Sequence, residues 1–422
     1  ESAASIHMKP FRRMSEFSPE EHRILLVTCP GHFFTHFFTL AFPAITIPLT
    51  AAFAMPLEAV VKLSFWMYLL YGLLALPVGL AADRWRAKPM LVAGIAIMGA
   101  GLVVAGAYPS PGVMTASLAF VGVGASIYHP AGLALISRTV RQRGVAMGVN
   151  GVFGNLGIAL SPLATGALSW AFGWQAALIV LGAIGLITAA WLQTIHVDET
   201  IRPAAKPVVH NGVPRREMAR YFGILCVALV LGGIAYRGNM LLLPAYMELK
   251  TTFLAKLFEH LPRVDGHSTA TFAATVLASI VLCGGLFGQI VGGRLADRME
   301  LRRAYLLFHA ASFPFVLAMA FSGDVVLVAC AVAYEFFSLG MQPIENSLIA
   351  AMTPDRWRST SYAVKFMLTF GVGAWAVHLV APIKQAYSIE MVYVFLAGVV
   401  FLLVMNIVVL MVASRKIPAV RN

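Results

Sequence analysis

The sequence predicts an all-α membrane protein in which twelve transmembrane helices form two pseudo-symmetric six-helix bundles. Three observations lead to this fold class. Of the 422 residues, 59% are hydrophobic and only 12% are charged, whereas a water-soluble protein of this size carries about twice that share of charge. The apolar residues fall into twelve long runs, and the two halves of the chain repeat the same motifs.

The twelve runs set the order of the helices, because a helix needs about 20 apolar residues to cross the hydrocarbon core. Spans one to six are predicted at residues 24–50, 58–81, 89–108, 112–137, 145–168 and 174–194. Spans seven to twelve are predicted at residues 220–246, 271–295, 304–322, 325–350, 360–382 and 390–413. The chain therefore divides into one bundle over residues 8–194 and a second over residues 220–413.

Four polar segments lie outside these spans. Residues 195–219 are polar, contain three prolines and predict a cytoplasmic linker between the bundles, and residues 414–422 predict a cytoplasmic tail. Residues 1–7, before Met8, have the character of an expression-vector remnant. Residues 247–270 carry apolar side chains at helical spacing, which fits either a short helix at the membrane surface or an ordinary loop.

The basic residues predict the orientation of the chain, because cytoplasmic loops are enriched in lysine and arginine. With the N-terminus inside, 24 of the 31 Lys and Arg residues fall in cytoplasmic segments and 5 fall on the other side. Both termini are therefore expected in the cytoplasm. This asymmetry explains the net charge of +12, so no nucleic-acid partner is expected.

The remaining composition excludes several functional classes. The four cysteines all lie inside apolar runs, which favours core packing over disulfide bonds or metal ligation. The chain contains no G-x-S-x-G, P-loop or C-x-x-C motif. We therefore expect neither an enzyme, nor an ATP-driven pump, nor a bound cofactor.

A repeated loop motif relates the two halves. Residues 79–84 (GLAADR) follow span two and residues 293–298 (GRLADR) follow span eight, 214 positions later. Matched dipeptides in spans four and ten, His129-Pro130 and Gln342-Pro343, lie 213 positions apart. Nearly equal offsets indicate two homologous halves related by an axis along the membrane normal.

The loop motif places an acid beside arginine at the end of a helix. Asp83 with Arg84 and Asp297 with Arg298 could pair with neighbouring charges or helix ends. Breaking such pairs would release one bundle to move against the other, so these four residues are predicted to gate the movement. The alternative is an ordinary positively charged turn.

The twelve spans, their six-plus-six division and the doubled loop resemble the major facilitator superfamily. Span five adds a second likeness, to the antiporter motif of drug-exporting members, with Ser161 and Thr165 where that motif has glycines. The motif residues are Gly148, Gly157, Ser161, Pro162, Thr165 and Gly166. The resemblance implies a transporter with a central site between its halves.

A narrower likeness concerns spans one, four and five. His32 and His36, residues 121–130 (VGVGASIYHP) and residues 154–157 (GNLG) are similar to the fosmidomycin-resistance branch of that superfamily. This likeness implies an exporter in the inner (plasma) membrane of a bacterium.

Histidines inside the spans mark a candidate pathway, because ionisable groups in hydrocarbon cost about 2.5–3.5 kcal/mol and survive where they have a function or a partner. His32 and His36 are four residues apart and share one helix face near the middle of span one, and His129 lies in span four. The pair fits proton coupling, metal ligation through H-x-x-x-H, or hydrogen bonds between helices.

Four charged residues also lie within the spans. Arg237 could neutralise Glu335, and Lys365 could neutralise Glu345, since an uncompensated buried ion is costly. Alternatively, the two basic residues and the histidines create a positive cavity for an anion such as a phosphonate or a carboxylate. Lys365 matches Asn150 of the first half, 215 positions earlier, which favours a polar cavity face.

The aromatic residues beside these polar positions are candidates for ligand contacts. They are Phe33, Tyr128, Tyr236 and Tyr362.

The leading functional hypothesis is a secondary transporter that works by alternating access and exports a small toxic compound, anionic or amphipathic, in exchange for protons. An importer or facilitator of an organic anion or metabolite is the alternative within this class. A metal-handling membrane protein that uses His32 and His36 is the alternative of another class. The expected partners are a small-molecule substrate and the lipid bilayer, and a monomer suffices because one chain can form the whole pathway.

Overall fold

The computed structural model describes residues 17–82, 84–200, 215–260, 268–353 and 358–415. In these ranges the chain is almost entirely helical and contains no β-strand. Ten helices are long and apolar enough to cross a membrane. One of them contains spans five and six, and the helix of span nine, Leu301–Met319, completes the predicted set of twelve.

The first half of the chain supplies spans one to six. Span one is α1 (Pro19–Ala44), which α2 (Thr46–Phe53) follows. Span two consists of α3 (Leu57–Lys62), α4 (Phe65–Leu73) and α5 (Ala75–Ala82). Span three is α6 (Ala87–Ala107), and span four consists of α7 (Pro111–Ala125) and α8 (Tyr128–Thr139). Spans five and six together form α9 (Arg143–Thr194).

The second half supplies spans seven to twelve. Span seven is α10 (Arg215–Lys250), and the short α11 (Phe253–Leu257) precedes span eight, α12 (Thr269–Arg298). Span nine is α13 (Leu301–Met319), and span ten consists of α14 (Asp324–Gly340) and α15 (Gln342–Ala351). Span eleven contains α16 (Arg358–Phe366) and α17 (Ala376–Ala386), and span twelve is α18 (Ile389–Ala413).

The first helix begins five residues earlier than its apolar run. The Ser18 hydroxyl accepts a hydrogen bond from the Glu21 backbone N–H (3.2 Å), and the Glu21 carboxylate accepts one from the Ser18 N–H (2.8 Å). This reciprocal cap, with proline at the first helical position, satisfies N–H groups that the helix itself leaves free. The helix therefore begins in the polar residues that precede the predicted span, because capping extends it beyond the apolar run.

The break between spans five and six lies at Gly173. Its φ of 87° interrupts an otherwise continuous helical segment. Glycine adopts this left-handed conformation without the steric cost that a Cβ would impose. The break lies between the predicted spans 145–168 and 174–194, as their boundaries require.

Several spans that the sequence predicts as continuous are interrupted. Spans two and four consist of consecutive shorter helices. Span eleven includes a five-residue π-helical segment, Met367–Gly371, and a short 3-10 turn, Val372–Trp375. Such segments often lie at functional sites, and this one lies where the two halves of the molecule meet.

The two halves close tightly on one side of the molecule. We call the side where α1 begins and α18 ends the terminal face, and the other side the opposite face. Near the opposite face, the Glu58 carboxylate pairs with the Lys384 ammonium at 2.7 Å. Phe65 packs edge-on against His378, with ring centroids 4.4 Å apart. A Cβ at Gly72 would overlap the backbone nitrogen of Gly371, so these two spans touch through their backbones.

Spans five and eight form a second contact between the halves. The Asn155 side-chain amide donates to the Gln289 carbonyl oxygen (2.5 Å), and the Leu163 N–H donates to the Ser279 hydroxyl (2.9 Å). Toward the opposite face, the absence of a side chain at Gly166 admits Thr275 of the other half. Hydrogen bonds of side chains, one of them to a backbone N–H, therefore tie the halves together inside the membrane.

The polar segments are only partly described. Within residues 247–270, the structure shows a five-residue helix, Phe253–Leu257, followed by a 3-10 turn, Phe258–His260. The Asp324 carboxylate accepts hydrogen bonds from the N–H groups of Thr252 (2.6 Å) and Phe253 (3.2 Å) at the start of that helix. In the linker region 195–219, residues 215–219 belong to a helix and residues 201–214 lie outside the described ranges. Residues 1–16 and 416–422 also lie outside them.

A larger side chain at Gly72 should destabilise the protein, because the backbone of Gly371 occupies the space next to it. In the Gly72→Ala variant a methyl group would overlap backbone atoms, and overpacking of this kind costs about 1–3 kcal/mol. We expect a lower thermal unfolding temperature of the purified protein in detergent. The matched control is Gly398→Ala, since a Cβ there meets no atom within 4 Å. Equal unfolding temperatures of the two variants would contradict the assigned contact.

Candidate functional site

A large cavity lies between the two halves. Its volume is about 1280 Å³, and its walls come from both halves of the chain. The lining residues lie in the middle of the spans and in their parts toward the terminal face, whereas the halves are in contact toward the opposite face. The cavity therefore opens to the terminal face. Its lining includes the polar side chains of His32, His36, His129, Asn150, Asn155, Tyr236, Gln289, His309, Gln342, Glu345, Asn346, Tyr362 and Lys365.

Three histidines meet on the wall of this cavity that the first half forms. His32 and His36 lie on one face of span one, with ring centroids 5.0 Å apart. His129, at the start of α8, lies 5.3 Å from the His32 ring and 5.4 Å from the His36 ring. One nitrogen of each ring lies within 4.8 Å of the other two. The sequence predicted the first pair, and the break in span four brings the third histidine to it.

Hydrogen bonds orient the His32 imidazole. Its Nδ1 lies 2.9 Å from the Asn150 backbone oxygen and 3.0 Å from the Asn150 side-chain oxygen. Both atoms are acceptors, so Nδ1 carries the proton and donates. Tyr128 donates its hydroxyl proton to the same Asn150 oxygen and stacks on the His32 ring at 4.5 Å.

The His129 imidazole joins the first half to the second. Its Nε2 lies 3.0 Å from the Tyr71 hydroxyl, and its ring stacks on Phe366 of span eleven at 4.3 Å. Its Nδ1 is buried and has no hydrogen-bond partner among the described residues. The histidine cluster therefore lies next to the interface between the halves.

Small residues of span five allow span one to come this close. A Cβ at Gly154 would overlap the His32 imidazole, and a Cβ at Gly157 would overlap the Phe33 carbonyl oxygen. One turn further, the Ser161 hydroxyl donates to the Phe37 carbonyl oxygen at 2.6 Å. The serine that replaces a glycine in the antiporter-like motif thus forms a hydrogen bond to span one.

The second half contributes a buried ion pair. The Lys365 ammonium lies 2.8 Å from the Glu345 carboxylate, which confirms the predicted pairing. The other Glu345 oxygen accepts a hydrogen bond from the Tyr305 hydroxyl (2.8 Å), and Lys365 also donates to the Asn346 side-chain oxygen (2.6 Å). The two side chains are 7% and 4% exposed and line the cavity. Lys365 and its counterpart Asn150 both face the cavity, as the matched positions predicted.

The predicted pair of Arg237 with Glu335 was wrong. The Arg237 guanidinium lies over the Tyr68 ring of span two, 3.7 Å from its centroid, and the residue is 2% exposed. Glu335 instead accepts a hydrogen bond from the Asn239 side chain. Arg237 and Asn239 are two residues apart and lie on different helix faces, so the asparagine faces span ten and the arginine faces the other half.

Of the four predicted aromatic residues, only two line the cavity. Tyr236 and Tyr362 line the cavity, and the Tyr362 hydroxyl donates to the Asn346 carbonyl oxygen at 3.0 Å. Tyr128 is buried behind the lining and acts through Asn150. Phe33 stacks on Phe37 at 5.0 Å, and its ring is absent from the lining, so we do not place it at the site.

The predicted gating residues are described only in part. Asp83 lies outside the described residues, and Arg84 is exposed in the turn that follows span two. Asp297 and Arg298 are exposed in the last turn of α12. Within the described part of the chain, none of these three forms an ion pair. The gating role stays a prediction.

Sequence reasoning missed several residues that belong to the site. Tyr305 and His309 of span nine, with ring centroids 4.7 Å apart, stand beside Glu345 and the cavity. Asn155 and Gln289 join the halves at the cavity wall. A histidine that interrupts an apolar run was a usable signal for His309. An asparagine or glutamine carries no such signal, because its partner lies on a distant helix.

The fold and this cavity define a membrane transporter with two related halves around a central site. The family model of the Major Facilitator Superfamily matches residues 29–377, and the chain belongs to that superfamily. It is therefore a multi-pass integral membrane protein of a transporter family.

Two similar proteins are named for the small molecules that they transport. The probable sulfoacetate transporter SauU of Cupriavidus necator is 26% identical over 373 residues, which cover 81% of this chain and 77% of that protein. The 4-hydroxybenzoate transporter PcaK of Pseudomonas putida is 26% identical over 334 residues, which cover 72% of this chain and 73% of that protein. Both names describe transporters of small organic anions.

A solved structure supports the fold. A bacterial homologue of the human lysosomal transporter Spinster, in an inward-facing and unoccupied conformation, superposes with a TM-score of 0.69 at 15% identity. The match covers 95% of this chain and 98% of that one. At this identity the likeness concerns the fold alone.

The buried pair of Lys365 and Glu345 should show strong energetic coupling. Removing one partner leaves a buried charge uncompensated, which costs about 3–5 kcal/mol, whereas replacing both with apolar residues is often nearly neutral. We expect Lys365→Met and Glu345→Met each to lower the thermal unfolding temperature markedly, and the double variant to recover most of the loss. Strictly additive losses in this double-mutant cycle would contradict the pairing.

Proposed function

We propose that this protein transports a small organic anion through the central cavity by alternating access. The observation that carries the proposal is the Lys365 ammonium on the cavity wall, held by a carboxylate that can give it up. The relatives support the choice of substrate, since their names describe carriers of sulfoacetate and 4-hydroxybenzoate.

The cavity suits a ligand with an anionic group and an apolar or aromatic body. Lys365 and the Asn346 amide supply donors for a carboxylate or a sulfonate. Phe366 and Phe370, which also line the cavity, offer ring faces beside them. Arg237 is buried behind the wall and contributes a fixed positive charge, which favours an anion over a cation.

Alternating access requires the contacts of the opposite face to open. The ion pair of Glu58 with Lys384 and the packing of Phe65 on His378 join the halves there. Opening would break these contacts while the terminal-face side of the cavity closes around the same central residues. The ion pair is partly exposed, with side chains 12% and 28% accessible, so water can replace it at modest cost.

We place the proton coupling at Glu345. Its two oxygens meet the Lys365 ammonium and the Tyr305 hydroxyl, and His309 lies beside Tyr305. A proton on Glu345 would neutralise it and release Lys365 to bind the substrate anion. Proton and anion would then bind together and cross the membrane as a neutral pair, which avoids moving a net charge through hydrocarbon.

The proposed setting is the inner (plasma) membrane of a bacterium, with both termini in the cytoplasm. The support is the concentration of basic residues in the segments of the terminal face. In this orientation the cavity opens toward the cytoplasm.

Transport in proteoliposomes tests the proposal. We expect accumulation of labelled 4-hydroxybenzoate, a singly charged anion near pH 7, when the outside is made more acidic, because the proton gradient then drives the neutral pair inward. In Glu345→Gln, accumulation should fall to the level reached without a gradient, while exchange of labelled for unlabelled anion continues. Glu259→Gln is the control, because Glu259 is exposed outside the cavity.

Two results would reject parts of this proposal. Failure of a panel of carboxylates and sulfonates either to be transported or to raise the thermal unfolding temperature would reject the organic anion. Gradient-driven accumulation by Glu345→Gln equal to that of the unchanged protein would reject the coupling residue alone.

Proton-coupled export of a toxic compound is a second candidate. The observation that favours it is the antiporter-like motif, whose residues Gly157 and Ser161 pack span five directly on span one. The same cavity would then bind its substrate and protons alternately instead of together, so that both the coupling and the direction of net movement would differ.

The two directions are separable in cells. If the protein exports, its expression in a sensitive bacterium should raise the lethal concentration of an anionic or amphipathic toxin severalfold. Importers should instead leave resistance unchanged or lower it, and should support growth on an organic anion as carbon source. Glu345→Gln serves in both assays as the reference that has lost coupling to protons.

A further inference from the structure

The cluster of His32, His36 and His129 has no assigned role in the proposed transport of an anion. We propose that these three side chains bind one divalent transition-metal ion of the zinc class, and that the fourth coordination position faces the cavity. This site goes beyond the proposed function, because it depends on the histidines and on neither Lys365 nor Glu345.

The positions of the rings carry the proposal. One nitrogen of each ring lies within 4.8 Å of the other two. In a tetrahedral zinc site with Zn–N bonds of about 2.0–2.1 Å, ligand nitrogens stand roughly 3.4 Å apart. The two span-one histidines are one helical turn apart, so small rotations of three side chains close the remaining gap without moving the backbone.

A metal-binding histidine needs one ring nitrogen with a free lone pair, and the hydrogen bonds of His32 and His129 leave such a nitrogen on each ring. His32 donates its Nδ1 proton to Asn150, which leaves the lone pair of Nε2 for a metal. His129 is 8% exposed, yet its buried Nδ1 has no partner among the described residues. The Tyr71 hydroxyl can accept the Nε2 proton of that ring at 3.0 Å. Metal-binding histidines usually have such a partner on the second nitrogen, which fixes the tautomer.

Span five packs closely against the edge of the His32 ring. A Cβ at Gly154 would overlap the Cε1, Nε2 and Cδ2 atoms of the imidazole. Glycine at this position therefore allows the ring to take the place that it has in the cluster. His36 forms no imidazole hydrogen bond to any described residue and also lines the cavity.

The ligand set predicts the kind of metal site. Three neutral imidazoles with one open position are the arrangement of three-histidine zinc sites, in which water or a substrate atom takes the fourth place. The ion would keep its double positive charge, and Arg237 and Lys365 add positive charge nearby. An oxygen atom of an anion is therefore the favoured fourth ligand.

Titration of the purified full-length protein, prepared without a polyhistidine tag, with Co²⁺ tests the site. We expect one Co²⁺ per chain, with the intense visible absorption of a four- or five-coordinate ion, and displacement by Zn²⁺. His36→Asn and His129→Asn should each weaken binding at least about tenfold, the smallest loss expected when even a supporting residue is removed. Absence of stoichiometric binding would overturn the proposal.

Matched variants separate this site from surface histidines. His196→Asn and His378→Asn should bind the ion as tightly as the unchanged protein, because one is exposed and the other packs on Phe65. Gly154→Ala should weaken binding, whereas Gly151→Ala should not, since a Cβ at 151 meets no atom within 4 Å. Equal loss in His196→Asn and His36→Asn would overturn the assignment.

A measurement on the unchanged protein covers the case in which variants fail to fold. X-ray absorption of the Zn²⁺-loaded protein should show three imidazole ligands and one oxygen ligand, and two or fewer imidazoles would reject the site. These assays contain no transport step. Failure of metal binding therefore leaves the anion proposal intact, and failure of transport leaves the metal site intact.

Discussion

The need to satisfy polar groups inside the membrane governs the centre of this protein. Hydrocarbon offers no hydrogen bonds, so a charged or polar side chain there requires a partner or water. Glu345 meets two donors, Lys365 and Tyr305. His32 donates to Asn150, and Asn155 donates to Gln289. Each of these contacts joins two different spans, so the same bonds that satisfy polar atoms also hold the helices in register around the cavity.

Close helix approach is the second requirement of this arrangement. Between spans one and five, glycines bring the backbones together and allow the His32 ring to reach Asn150. Between spans two and eleven, Gly72 and Gly371 bring the two halves into contact near the middle of these spans. In membranes, van der Waals packing of this kind replaces the hydrophobic effect as the force between helices. Small residues therefore determine both where the molecule is closed and where its cavity remains.

The ion pair of Lys365 with Glu345 bears on both the stability of the protein and the proposed transport. A buried ion pair contributes little net stability, because desolvation offsets the attraction. In the proposed mechanism, a proton on Glu345 would free the lysine, while the Tyr305 hydroxyl would still contact the glutamic acid. Arg237 is different, since it lies over Tyr68 and has no carboxylate partner among the described residues. Lys365 is thus the cation that the proposed mechanism releases, and Arg237 is the cation that stays in place.

The sequence by itself determined the class, the number of spans and the duplication, because hydrophobic length and repeated motifs are local properties of the chain. It also offered the pairing of Lys365 with Glu345 as one of two alternatives, and the structure shows that pair. Only the tertiary structure decided that Asn239, rather than Arg237, meets Glu335, and that His129 joins the span-one histidines. Those choices depend on helix rotation and on breaks within spans, which are set by packing between residues far apart in the chain.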